Sequence, residues 1–194
     1  MTLYLQALKR FQDLLEEAKQ LSLREPLAMA LATADEQGRP SVRTIYLGGV
    51  DERGLVFFTN CHSRKAQQLA ANPHAAVCFF WPLLGQQVQV EGTVEPVSEE
   101  EADACWATRD HHSRLAAWAS QQSEPLDSQE TLKRRLEEYR QQFDLQPIPR
   151  PSYWCGYRLV PERIEFWKTG WGYLHERECY QKSGDKWTMT LLNP

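Results

Sequence analysis

The chain has 194 residues, enough for one ordinary domain to bury a core without a disulfide or metal staple. Its 22 Lys+Arg against 26 Asp+Glu give a formal net charge of −4, which argues against nucleic acid or an anionic membrane as the main partner and confines any basic site to a local patch. The five cysteines are an odd number with neither a Cys-x-x-Cys pair nor histidines at zinc spacing, so they argue against a disulfide framework or a metal site and fit reduced thiols.

Apolar runs such as Val77 to Trp81 are too short to cross a bilayer, and the N-terminus lacks the charged-then-apolar order of a signal peptide, so a cytoplasmic location and a single domain over 1–194 are expected. From Leu3 to Leu21, apolar residues at Leu8, Phe11, Leu15 and Ala18 recur with helical period and predict an amphipathic helix. Three β-like runs follow, Leu27 to Ala34, Ser41 to Leu47 and Leu55 to Thr59, separated by Asp35–Gly38 and Asp51–Gly54, whose Asp and Gly are turn formers. A short helix is expected from Ser63, as N-cap, to Ala71, where Asn72-Pro73 ends it.

Strands are then expected over His74 to Trp81 and Gln86 to Val94; in the second, Val88 and Val90 alternate with Gln87 and Gln89, giving one apolar face and one that presents amides. Ser98 with Glu101 and Asp127 with Glu130 have capping-box spacing and open helices to about Thr108 and Phe143, with a shorter helix from Ser113 to Ala119 between them. Gln146 to Pro151 reads as a stiff connector. Tyr153 to Leu159, Arg163 to Trp167, Leu174 to Gln181 and Lys186 to Leu192 read as further strands, the last pair joined at Ser183-Gly-Asp185. The fold class expected is α+β, an antiparallel, Greek-key-like β-barrel with flanking helices, closed by its last strands. No Gly-rich Rossmann or P-loop signature is present.

Two segments carry chemistry. In Phe58-Thr59-Asn60-Cys61-His62-Ser63-Arg64-Lys65 a strand delivers hydroxyls and two cations to the first turn of a helix, where cations oppose the helix dipole but suit an anion such as phosphate; Arg43 on a neighbouring strand is a third candidate cation. The second is Glu165-Phe-Trp167 followed by Tyr173-Leu-His175-Glu-Arg177, where strand alternation puts Tyr173, His175 and Arg177 on one face. Taken alone, the first segment fits ordinary solvated surface as well as it fits a site, and the second fits a half-exposed sheet face somewhat better than a site. Gln87, Gln122 and Ser123 supply the amides and hydroxyl that read the edge of a flat heterocycle.

Arg43-Thr-Ile-Tyr-Leu, Phe57-Phe-Thr-Asn with Ser63-Arg-Lys-Ala66, Gln87-Val, Trp118 with Ser120-Gln-Gln-Ser123, Pro151-Ser-Tyr-Trp, Ile164-Glu-Phe-Trp167 and Leu174-His-Glu-Arg177 together resemble the pyridoxamine 5′-phosphate oxidase family in order and spacing, over nearly the whole chain. The resemblance implies an FMN-binding split barrel acting as a homodimer, with FMN in a cleft between subunits. It implies an FMN phosphate held by Arg43, Arg64 and Lys65, with Phe58, Thr59 and the backbone of Thr44, Ile45, Tyr46 and Leu47 beside it. The ring would be met by Gln87, Gln122, Ser123, Trp167 and Arg177, partly from the second subunit.

On the substrate side, Arg109, Ser113 and His175 match family positions. Gly48 stands where a phosphate-binding lysine is expected, Cys105 where a tyrosine is expected, and Tyr173 where an arginine is expected. The chain also begins almost at its first helix, leaving no room for the N-terminal segment that covers substrate in the B6-phosphate oxidases. The phenazine-biosynthesis branch of the family also departs at the phosphate-binding lysine, and in this the chain resembles that branch more. The expected activity is therefore an FMN-dependent oxidase that dehydrogenates a flat, reduced (hetero)aromatic small molecule of secondary metabolism and returns electrons to dioxygen. His175, Tyr173 and Arg109 would orient substrate, with His175 as proton acceptor because histidine is the side chain that titrates near neutrality. A pyridoxine/pyridoxamine 5′-phosphate oxidase of vitamin B6 metabolism and a non-catalytic flavin- or haem-binding split barrel remain as alternatives.

Overall fold

The computed structural model describes residues 1–21 and 25–194. In chain order the elements are α1 (Leu3–Gln20), β1 (Ala28–Ala34), β2 (Pro40–Tyr46), β3 (Gly49–Asp51), β4 (Gly54–Asn60), α2 (Arg64–Ala71), β5 (His74–Trp81), β6 (Gln86–Pro96), α3 (Glu99–Thr108), α4 (His111–Ala119), α5 (Gln129–Gln142), β7 (Trp154–Lys168), β8 (Glu176–Ser183) and β9 (Lys186–Leu191). No helix among the described residues is long and apolar enough to cross a membrane.

One antiparallel sheet runs β2-β1-β5-β6-β7-β4-β3, with β8 and β9 branching from β7. The branch arises because β7 is twice the length expected. Tyr153 to Leu159 and Arg163 to Trp167, read as two strands, are one: Trp154 to Leu159 pairs with β4, and Arg163 to Lys168 pairs with β8. Pro161 interrupts the pattern without ending the strand, since the register shift between Glu91 and Gly92 on β6 places a bulge where its missing N–H is tolerated. The barrel is therefore bent round by β7, and the last strands do not close it. They cover α1 instead, where Tyr4 stacks on Trp187 at 5.0 Å and Arg10 pairs with Glu178 at 2.8 Å.

The alternation on β6 holds: Val88 and Val90 are buried with Phe57, Phe79, Ile164 and Phe166 in the barrel core, and Gln87 and Gln89 face outward. Phe11 on α1 plugs this core, 5.0 Å from Phe79, as the helical period required. A second cluster joins Trp106 of α3, Leu115 of α4, Phe143, Ile148 and Trp154. It pins the Pro-rich connector, whose carbonyls at Ile148 and Pro149 accept from the indoles of Trp106 and Trp118 at 3.0 and 2.8 Å.

Local boundaries differ from expectation for identifiable reasons. The last long helix is capped by Ser128 and not Asp127, because the Ser128 hydroxyl reaches Thr131 N at 3.1 Å while Asp127 accepts from the Thr131 hydroxyl. Asp110 caps the middle helix, which therefore starts at His111 and not Ser113. Ser63 occupies the N-cap position of α2 but makes no side-chain cap; its oxygen is taken by Lys65. Ser98 and Glu101 do form the expected capping box.

Arg158, 1% exposed, ties this frame together by pairing with Asp51 at 2.6 Å and Glu101 at 2.7 Å, joining β7 to the β3–β4 turn and to α3. Removing one partner of a fully buried pair costs about 3–5 kcal/mol, but Asp51 and Glu101 can be rehydrated. Arg158→Ala is accordingly expected to lower the unfolding free energy by about 2 kcal/mol, seen as a lower denaturant midpoint at unchanged slope.

Candidate functional site

The sheet leaves a seam where β2 and β4 approach without pairing, and a cleft of about 700 Å³ opens there under α4. It is lined by Arg43, Thr44, Ile45, Tyr46, Leu47, Gly48, Phe58, Thr59, Lys65, Cys105, Arg109, Ser113 and Gln122, thirteen of the positions that the sequence put forward. Asn60, Ser120, Tyr153 and Trp154 line it too and were not put forward as site residues. Polar and aromatic residues at strand and helix ends carry no signal until the topology brings those ends together.

The floor of the cleft is cationic. Lys65 is 6% exposed, and its ammonium donates to Thr59 Oγ1 at 3.0 Å, Ser63 Oγ at 3.2 Å and Gln122 Oε1 at 3.0 Å, all neutral acceptors. Arg43 donates to the Leu31 carbonyl, Thr33 Oγ1, Ser41 Oγ and Gln68 Oε1, again with no carboxylate. Gln68 is a second residue that sequence reasoning missed; one helical turn beyond Lys65, it accepts from Thr33, Ser41 and Arg43 with one oxygen. Ser123, in the left-handed region at φ 75°, accepts from the Arg64 backbone N–H at 3.1 Å.

Burial, reinforced by the charge of Arg43, pulls the Lys65 ammonium down to about 8 against a smaller opposing effect of the Cys155 thiol. Burial and then Arg64 lower Arg43 in the same way. Three cations, none with a carboxylate partner among the described residues, thus lie near one another, with Arg64 depressing Arg43 and Arg43 depressing Lys65, an arrangement able to accept an anion.

On the far wall, the Arg109 guanidinium lies over Trp154 and Trp106, 5.3 and 5.8 Å from their ring centres, and donates to the Ser113 carbonyl at 3.2 Å. Its Nε is buried with no partner among the described residues. Burial raises the Cys105 thiol, with Arg109 opposing. Phe58 stacks on Trp154 at 4.8 Å and 2°, and its ring fills the space at Gly48 and Gly156, where an added Cβ would come within 2.8 and 2.6 Å of it.

The remaining candidates stand apart, on the outward face of the sheet. Gln87, Trp167 and Arg177 sit side by side across β6, β7 and β8. Contrary to the expectation from alternation, Tyr173, His175 and Arg177 do not share a strand face. Gly172 at φ 63° and Tyr173 at φ 66° turn Trp171–Tyr173 into a short 3₁₀ turn, and β8 begins only at Glu176. Tyr173 is 86% exposed; His175 packs on Trp167 at 4.7 Å and accepts from Gly170 N–H through Nδ1. With Nδ1 engaged by Gly170, Nε2 is the ring nitrogen left for a further partner.

Residues 14–143 match the family described as Pyridoxamine 5′-phosphate oxidase, and residues 154–194 match the Pyridoxine 5′-phosphate oxidase C-terminal dimerisation region. The chain belongs to the pyridoxamine 5′-phosphate oxidase family. FMN is the cofactor of this family, and its members are oxidoreductases. Among curated relatives, the pyridoxine/pyridoxamine 5′-phosphate oxidase of Alkalilimnicola ehrlichii is 50% identical over the full length of both chains. That of Rubrobacter xylanophilus is 50% identical over 96% of this chain and 86% of its own. Among solved structures, PhzG from Burkholderia lata in complex with tetrahydrophenazine-1-carboxylic acid superposes with TM-score 0.91 at 35% identity, over 96% of this chain and 91% of PhzG. An FMN-binding protein of Nostoc punctiforme shares the fold at TM-score 0.70 and 21% identity, over 87% and 88%.

The split barrel and the cation cluster fit this family, and the cost of that cluster to the empty protein is measurable. Lys65 titrates near 8 when folded and ~10.4 when unfolded, so over that window the unfolded chain holds the extra proton and stability rises with pH. Lys65→Met should abolish the rise and stabilise the flavin-free protein by about 1–2 kcal/mol at pH 7. Urea titrations from pH 7 to 10 test both.

Proposed function

We propose that this chain is an FMN-dependent oxidase that dehydrogenates a flat, reduced (hetero)aromatic small molecule lacking a 5′-phosphate, and that two copies build each site. Arg43, Arg64 and Lys65 would hold the FMN phosphate, with Thr59, Gln122 and Ser123 completing the cradle. When bound, FMN accepts the hydride equivalent and passes electrons to dioxygen.

The case for two copies comes from β7. Trp154 lines the cleft at one end of the strand and Trp167 belongs to the outward row at the other. Thirteen residues at roughly 3.3 Å each separate them by about 40 Å along the strand, longer than one FMN. Gln87, Trp167, His175 and Arg177 therefore serve the ring in the cleft of a second copy, and most of them lie in the segment that matches the dimerisation region. His175 orients substrate there through Nε2, and Tyr173 adds an aromatic face where a cation would suit a phosphate.

The observation that carries the substrate reading is the packing at Gly48. A lysine there must displace the Phe58 ring from Trp154, Gly156 and Val97, so the phosphate-binding lysine is excluded by a packed cluster as well as missing. Arg109, which lines the cleft and whose guanidinium donates only to the Ser113 carbonyl among the described residues, then offers one charge-assisted contact, enough for a single carboxylate on an aromatic ring. A second reading, pyridoxine/pyridoxamine 5′-phosphate oxidase, is favoured by the name that relatives 50% identical to this chain carry. Oxygen uptake with tetrahydrophenazine-1-carboxylic acid and with pyridoxine 5′-phosphate separates the two. The first should turn over, and the second should show a KM raised at least about tenfold, the worth of one lost charged contact; micromolar KM for pyridoxine 5′-phosphate rejects the proposal. Anaerobic flavin reduction by neither points to a non-catalytic flavoprotein.

FMN affinity should fall as pH rises through about 8, because the phosphate needs the Lys65 ammonium and the empty site releases that proton there. Fluorescence titration should show this slope for FMN and none for riboflavin. A flat FMN profile means that Lys65 does not hold the phosphate.

A further inference from the structure

Glu165 is 3% exposed on the outward side of β7, and its two oxygens serve two arginines. Oε1 accepts from Arg177 Nε at 2.7 Å, and Oε2 accepts from Arg163, whose other nitrogen pairs with Glu91 at 2.6 Å. Arg177 is gripped from its other side as well, donating to the Asn193 carbonyl at 2.9 Å. Its Nη2 is left without a partner among the described residues, beside Trp167 in the register of β7 and β8. Burial opposes ionisation of Glu165, but the hydrogen bonds from Arg177 and Arg163 outweigh it and hold the carboxyl below its ordinary range.

A buried carboxylate between two arginines is a poor stabilising device, since its desolvation offsets most of the attraction, but it fixes the guanidinium planes on either side. We propose that Glu165 is a positioning residue that holds Arg177 with its free donor toward the flavin ring of the partner copy. This rests on the placement of Arg177 at the ring given above. Without the carboxylate, Arg163 and Arg177 repel each other and Arg177 leaves its place.

The test uses the FMN-loaded dimer and reads FMN affinity and flavin midpoint potential for Glu165→Gln, Arg177→Gln and the double variant. A cation fixed at the ring favours the more negative reduced flavin, so Arg177→Gln should shift the potential negative and weaken FMN binding about tenfold. Glu165→Gln should shift it in the same direction, and the double variant should match Arg177→Gln alone. A positive shift in Glu165→Gln would show a bare charge beside the flavin, and an unchanged potential with lowered melting temperature would show a structural tie; either overturns the inference. So does an additive double variant. An unchanged Arg177→Gln removes the placement of Arg177 and the inference with it, whereas a changed Arg177→Gln beside an inert Glu165→Gln removes the inference alone. Should Glu165→Gln not fold, Glu165→Asp, one methylene too short to reach both arginines, should give a smaller negative shift, and a wild-type potential there overturns the inference too.

Discussion

Everything in this molecule is arranged around a lysine that has been taken out of water without a counter-ion. Lys65 is surrounded by hydroxyls and an amide, with Arg43 close enough to depress its ammonium further. Desolvating a charge beside another of the same sign is unfavourable, and the three neutral acceptors around Lys65 offset only part of it. Four separate segments maintain the arrangement. β4 brings Thr59, the N-terminus of α2 brings Ser63 and Lys65, β2 brings Arg43, and the loop after α4 brings Gln122 and Ser123. An anion in that space would offset the repulsion between the cations and compensate their lost hydration.

Strain falls in the same places. Among the described residues, Ser123 and Tyr173 are the only non-glycine residues at positive φ. Each such conformation costs of order 1–3 kcal/mol and survives only where surrounding contacts impose it. Ser123 is held by the Arg64 N–H, and the Tyr173 turn by Gly170, which sits too close to the Leu174 carbonyl for any side chain and whose N–H reaches His175. The two strained points lie apart, Ser123 in the loop beside the Lys65 cluster and Tyr173 in the 3₁₀ turn before β8.

Periodicity and capping made most of the fold legible. The α1 stripe, the β6 alternation and the Ser98 box each report a local rule that tertiary packing did not override. The failures share a cause: they required knowledge of what lies alongside. The unity of β7 depends on its own bulge at Glu162, where it passes Glu91 and Gly92 of β6, the 3₁₀ turn at Tyr173 on the left-handed glycine before it, and the displaced caps on which oxygen arrives first. In the site, the cations were visible as a charge run, but their lack of carboxylate partners was not. Gln68 and Glu165, which hold Arg43 and Arg177 by single oxygens, are indistinguishable in sequence from any amide or acid on a helix or strand.

The wall of the cleft around Gly48 shows how far one position reaches through packing. Reading Gly48 as a lost lysine treats it as a deletion from an otherwise intact pocket. The packing around it is cooperative instead: Phe58 lies flat on Trp154, Gly156 and Gly48 both yield room to its ring, and Trp154 also carries the Arg109 guanidinium and meets Trp106 edge-on at 5.1 Å. Restoring a side chain at 48 displaces Phe58, which loosens Trp154, which releases the one remaining cation on that wall. In a close-packed interior such a cluster shifts as a unit or not at all. What the structure shows on that wall is a stacked aromatic surface, Phe58 on Trp154, with the single guanidinium of Arg109 lying over it.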